Sequence, residues 1–237
     1  MNHHANDCML CGAELEYLAA PREMECALCH RTFSSDARCK NGHFVCDECH
    51  RKNADGLTLE TCLHTASRNP IAIMQGLMAK PPFHMHGPEH HFLVGAALLA
   101  AYHNCGGEVD LAEALPDLLR RSKKVPGGAC GYWGCCGAAV SAGMFLSIVT
   151  ESTPLAERPW GLSNAMTGRA LSAIAATGGP RCCKRDSFTA VREAVDFTAE
   201  KLGVRMEAPD RIRCGFFPQN HECLGARCPY HPGYGAE

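Results

Sequence analysis

"CALCHRTFSSDARCKNGHFVCDEC", residues 26–49, carries Cys26 and Cys29, then Cys39 and His43, then Cys46 and Cys49. Zinc prefers four tetrahedral thiolate or imidazole ligands, and two residues between cysteines let one tight turn present both sulfurs to one ion. A segment this short cannot bury an adequate apolar core of its own. Bound zinc would supply the missing stability, with apparent free energies of about 10–16 kcal/mol per site.

Working outward, Cys8 and Cys11 add a fourth pair upstream. The pairs can be used sequentially, with Cys8, Cys11, Cys26 and Cys29 on one ion and Cys39, His43, Cys46 and Cys49 on another. They can also interleave, with Cys26, Cys29, Cys46 and Cys49 on one ion and Cys8, Cys11, Cys39 and His43 on the other. A Cys-His pair between two cysteine pairs resembles the middle of a RING or treble-clef finger, and this resemblance favours interleaving. Cys62 and His64 remain open as replacements for Cys8 and Cys11, because a RING needs a final pair downstream. The module is expected to be treble-clef-like or zinc-ribbon-like and could serve a protein partner.

The whole chain has 237 residues, enough for one sizeable core plus a small satellite module. A net charge of −2 makes no case for a nucleic-acid or membrane surface. Seventeen cysteines, an odd number often spaced in pairs, with no secretion-type leader, point to metal ligation in a reducing cytoplasm rather than to a disulfide scaffold. Residues 8–64 show little helical periodicity. Residues 1–65 are therefore assigned to the zinc module and 66–237 to an α-helical, cysteine-rich domain, for a mainly α protein.

"HFLVGAALLAAYHNC" (91–105) is apolar around most of its circumference and reads as a buried helix, opened by Gly87 and Pro88. "VDLAEALPDLLRRSKK" (109–124) reads as a second helix bent at Pro116. "CCGAAVSAGMFLSIVT" (135–150) reads as a third, small-residue-rich and able to approach a neighbour closely. A fourth runs from a Ser163 cap to Gly178, and a fifth covers "RDSFTAVREAVDFTAEKLG" (185–203). The tail from about residue 209 is irregular and rich in Cys, Pro and Gly.

Cys135 and Cys136 stand where one helix begins, and Cys182 and Cys183 where another does. The positive end of a helix favours thiolate and can lower a cysteine pKa from ~8.5 to ~3.5–7.5. Cys130, Cys136, Cys182 and Cys183 are the candidate ligands of a [4Fe–4S] cluster. Cys214, Cys223 and Cys228 are candidate zinc or cluster ligands, with His221 or His231 completing a zinc set. Arg181, Lys184 and Arg185 would attract a small anionic substrate. "GCCGAAVSAG" (134–143) is similar to the helix start of iron–sulfur L-serine dehydratases and cysteine desulfidases, in which an open iron acts as a Lewis acid on substrate.

In "FHMHGPEHHF" (83–92), His86, Glu89 and His90 match the H-x-x-E-H pattern of inverted zinc peptidases. Pro88 as helix opener would leave His86 outside the helix, so Glu89 and His90 are assigned instead as acid/base groups or metal ligands pointing into a site. Four stretches carry a wider resemblance: "HGPEHHFLVGAALLAAY" (86–102), "CGYWGCCGAAVSAGMF" (130–145), "GGPRCCKRDSF" (178–188) and "CLGARCPYHP" (223–232). Through them the chain resembles domain-of-unknown-function family 5714, cysteine-rich proteins of anaerobic bacteria and archaea. The expected function is a cytoplasmic iron–sulfur enzyme of lyase, sulfur or redox chemistry with two N-terminal zinc ions. The alternatives are a non-catalytic zinc-binding adaptor or regulator, and a zinc hydrolase using His86, Glu89 and His90.

Overall fold

A computed structural model describes residues 8–235. It opens with an antiparallel hairpin, β1 (Leu15–Glu25) and β2 (Thr32–Cys39), whose register shifts between Tyr17 and Arg22. Eight helices follow among the described residues: α1 (Asp47–His64), α2 (Pro70–Met78), α3 (Glu89–Asn104), α4 (Leu111–Ser122), α5 (Ala129–Tyr132), α6 (Gly137–Val149), α7 (Arg158–Thr177) and α8 (Cys183–Leu202). The tail holds only two 3-10 turns, Phe217–Gln219 and Gly225–Arg227. The fold is thus mainly helical, with one small hairpin at its N-terminal end.

Helix α3 is the axis of the fold. Thirteen of its sixteen residues are buried, on all sides, because α1, α2, α4, α6 and α8 all pack against it. This is why its sequence lacks a polar stripe. It begins where Pro88 can precede the first turn without losing a needed N–H. Helix α7 lies outside, against α6 and α8, and buries only Met166 and Ala170.

The small residues of α6 permit the close approach that its composition suggests. Ser141 Oγ accepts a hydrogen bond from the Gly95 backbone N–H at 2.9 Å, so α3 and α6 touch backbone to side chain. A Cβ at Gly95 would sit 2.8 Å from Leu118 Cδ2 and 2.9 Å from Ser141 Oγ. Gly95→Ala is therefore expected to cost about 1–3 kcal/mol through overpacking, read as a lower denaturation midpoint. An unchanged midpoint would mean that α4 and α6 yield freely.

Two expectations need correction. Residues 47–64 form an 18-residue helix, α1, although the sequence shows little periodicity there. Its buried side is made of Arg51, Asp55 and Thr58 together with Ala54 and Cys62, so no apolar stripe betrays it. Helix α7 begins at Arg158, not at Ser163: Pro159 occupies its first turn, and Ser163 Oγ donates to the Pro159 carbonyl inside the helix. Pro116 lies inside α4, which runs unbroken from Leu111 to Ser122 and which Asp110 caps through the Ala112 N–H.

Candidate metal centres

Two four-ligand groups assemble around the hairpin. Cys26 and Cys29 form the turn after β1. Cys46 caps α1, and Cys49 lies in its first turn. Their sulfurs lie within 4.8 Å of one another, with Cys29 and Cys46 at 3.8 Å. A Zn–S bond of about 2.3 Å implies tetrahedral edges of about 3.8 Å, so the spacing fits one zinc ion. The Cys46 N–H donates to Cys26 Sγ at 3.3 Å, and the positive end of α1 adds to the stabilisation of negative sulfur.

The second group is Cys8, Cys11, Cys39 and His43. Cys11 and Cys39 sulfurs are 3.9 Å apart, and His43 Nδ1 lies 3.3 Å from Cys11 Sγ and 3.8 Å from Cys8 Sγ. The His43 N–H donates to Cys39 Sγ at 3.2 Å, closing the knuckle. A hydrogen bond from the Ala13 backbone, then the His43 side chain, brings the Cys11 thiol down to about 6. The grouping is interleaved, and the sequential pairing is not what the chain adopts. Cys62 and His64 take no part: Cys62 is fully buried in the helical core and His64 stands at the exposed end of α1.

A third group of ligand type was not legible in the sequence. His50, from the first turn of α1, His84, from the loop before α3, and Glu89, the first residue of α3, bring ligand atoms within 4.8 Å of one another. His50 offered no motif spacing to the other two; its one signal was its place beside Cys49. Against the raising effect of burial, contacts with His50 and His84 hold the Glu89 carboxyl well below the usual carboxylate range. The H-x-x-E-H histidines turn elsewhere. His86 Nε2 lies 2.6 Å from Glu222 Oε2, while His90 Nδ1 faces the Gly87 carbonyl at 3.0 Å and its Nε2 faces Lys184 Nζ at 3.1 Å.

The seven candidate ligand cysteines of the helical part divide between two cavities and a cleft. Cys130 and Cys136 border an open cleft of about 810 Å³, also lined by Tyr17, Arg181 and Glu222. Cys183 and Cys130 border an adjoining cavity of about 190 Å³ beside the hairpin. Cys182 faces the other way and, with Cys214, Cys223 and Cys228, lines a small enclosed cavity against the tail. Among the described residues, neither Cys130, Cys136, Cys182 and Cys183 nor the tail cysteines draw three ligand atoms within 4.8 Å. Every described cysteine is a free thiol.

Position at a helix start does not make these thiols acidic. Burial pushes Cys136 and Cys182 up to about 12, and Cys183 further still, overriding backbone N–H groups that act in the other direction. The cations also separate in role. Arg181 stands over the Tyr17 ring at 5.4 Å and borders the cleft. Lys184 is fully buried and donates to the His84 carbonyl at 2.8 Å. Arg185 is tied to Asp186 and to the Gly178 and Pro180 carbonyls. Of these three, Arg181 is the one whose cationic head faces the cleft without being committed to a protein carboxylate or carbonyl.

Residues 58–231 match a family described as "Family of unknown function (DUF5714)". The matched span holds His84, Glu89 and the cysteines of the helices and tail, and the eight ligands of the two N-terminal groups lie before it. No curated protein and no solved structure matches the chain. No described helix is long and apolar enough to cross a membrane.

Proposed function

The chain belongs to this DUF5714 family, and from that premise we propose that it is a zinc-binding adaptor or regulatory protein. Its N-terminal module, organised by two zinc ions, presents a binding surface beside the helical fold. The observation that carries this reading is the pair of complete four-ligand groups, one of four thiols and one of three thiols with an imidazole, each with tetrahedral spacing. Closed four-ligand sets of this kind build structure rather than activate water. Met9, Leu10, Leu15 and Leu28 stand exposed on the module, apolar side chains available to a partner. We assign the protein to the cytoplasm, the reducing compartment in which so many unpaired thiols persist.

The test is the zinc content of the full chain and the spectrum of its cobalt form. Two thiolate-bound metal ions per chain are expected. Fewer than two, or cobalt without sulfur charge-transfer bands, would overturn the reading.

A second reading, an iron–sulfur enzyme acting on a small anion, is favoured by the four cysteines gathered around a cavity of about 20 Å³ at the tail. Cys182, Cys214, Cys223 and Cys228 surround it, and three of them accept N–H groups: Cys182 from Arg185 and Asn220, Cys214 from Phe216, Cys223 from Gly225. A cluster spreads its thiolates more widely than one zinc ion does, and hydrogen bonds to sulfur are among the levers that tune it. Arg181 at the open cleft would supply the anion contact. Iron and acid-labile sulfide in protein purified without oxygen, lost in Cys182→Ala/Cys214→Ala, would establish it. Colourless, iron-free protein after anaerobic reconstitution would exclude it.

A further inference from the structure

His50, His84 and Glu89 reach one point from three separate elements, α1, the loop before α3, and α3 itself. The Glu89 side chain is 0 % exposed, and its Oε2, His50 Nδ1 and His84 Nδ1 are buried without a well-aligned hydrogen bond. Glu89 Oε2 lies 3.2 Å from His50 Nδ1, and Glu89 Oε1 lies 3.6 Å from His84 Nδ1. Leaving one buried polar atom unpaired costs about 1–3 kcal/mol, and more when it is charged. Three buried, poorly satisfied ligand atoms converging on one spot form a set that a single metal ion would satisfy.

The surroundings hold this set in place, with His90 Nδ1 also 3.6 Å from Glu89 Oε1. The His84 backbone N–H donates to Glu89 Oε1 at 3.1 Å, which fixes the carboxylate with Oε2 beside His50. A Cβ at Gly87 would collide with that carboxylate, so the approach needs glycine there. His90, the neighbouring imidazole, is committed to the Gly87 carbonyl and Lys184. Lys184 in turn donates to the His84 carbonyl, steadying the loop that carries one ligand.

We propose that His50, His84 and Glu89 bind a divalent transition-metal ion, a third centre chemically unlike the two thiolate-rich ones. Two imidazoles and one carboxylate are the donor set of zinc sites that keep a fourth position for water or substrate. His50 borders the cavity of about 190 Å³ that Arg181 also lines. The ligand class suited to the fourth position is therefore water or a small anion such as a carboxylate. The centre sits between the zinc module and the helical core, with one ligand, His50, directly following the zinc ligand Cys49.

The test compares the full chain with Glu89→Gln and His84→Ala, each loaded with Co²⁺ without oxygen. Cobalt per chain and the visible spectrum are read together. The wild type is expected to take one equivalent more than either variant. That equivalent should add ligand-field absorption and leave the sulfur charge-transfer bands unchanged. Equal cobalt in all three proteins would overturn the proposal, as would a loss that lowers the charge-transfer bands in proportion. Should either variant fail to fold, titration of the wild type decides: an equivalent binding with no sulfur band supports the centre, and a titration ending with sulfur-bound cobalt alone refutes it. The sulfur bands report separately on the two N-terminal sites, so this centre can fail while the zinc-module reading stands.

Discussion

Removing metal from the full chain with a chelator is expected to unfold the hairpin module and leave α2–α8 folded. Among residues 8–46 the only buried side chains are Cys8, Cys26, Cys39 and Cys46. Phe33 and Phe44 contact each other at 6.2 Å between ring centres, but both remain partly exposed. The module therefore has a core made of ligands, and an apolar core of the ordinary kind is absent from its described residues. Zinc bound at each site would contribute about 10–16 kcal/mol of apparent binding free energy, which in such a module is folding free energy. Helix α3, by contrast, is enclosed by apolar neighbours that need no metal. Amide hydrogen exchange should show β1 and β2 losing protection on chelation while α3 and α6 keep theirs. Protection retained in β1 and β2 without metal would show that something other than the ligand sets holds the module.

The second large effect is expected at Arg51. This residue is 2 % exposed and donates through Nε to Asp55 Oδ2 at 2.9 Å and through Nη2 to Ser122 Oγ at 2.8 Å, tying α1 to α4. Arg51→Ala would leave the Asp55 carboxylate buried without its cation, at a cost of about 3–5 kcal/mol. Replacing both partners, Arg51→Met with Asp55→Leu, is expected to be near neutral or stabilising, because desolvation of the pair is removed along with its attraction. Urea midpoints of the two variants check this contrast; equal losses in both would contradict it. The deficit of Arg51→Ala should also depend on pH. Burial pushes the Asp55 carboxyl up to about 6, with Arg51 opposing. A raised folded-state pKa favours the folded state below the unfolded value near 3.8, and that advantage is lost as pH rises through about 6. Acidification toward pH 5 should therefore shrink the deficit, since a protonated Asp55 needs no cation.

The same helix shows where sequence reasoning stops. The pairs at Cys26/Cys29, Cys39/His43 and Cys46/Cys49 announce themselves because ligand spacing is a local constraint, and α3 does so because full burial leaves no polar residue in its middle. Helix α1 hides because it packs through Arg51, Asp55 and Thr58, residues that read as surface until their partners are known. His50 is silent for a related reason: its companions, His84 and Glu89, lie more than thirty residues away. Cys182 and Cys183, adjacent in the chain, read as one site, but the first residues of a helix point in different directions and the two thiols enter different cavities. Their expected acidity fails on magnitude, since burial outweighs the N–H groups at the helix start. The sequence leaves the N-terminal pairing open between sequential and interleaved sets and between Cys8/Cys11 and Cys62/His64, and the hairpin decides it by bringing Cys26 beside Cys46 and Cys11 beside Cys39.

That pairing is tested most directly by counting zinc in two double variants with native mass spectrometry. Cys26→Ser/Cys46→Ser removes two ligands of one interleaved site, and Cys8→Ser/Cys26→Ser removes one ligand from each. Relative to the wild type, the first variant should lack one zinc ion and the second should lack both. The reverse pattern, with both ions lost in the first and one in the second, would contradict the interleaved module on which this reading of the protein rests.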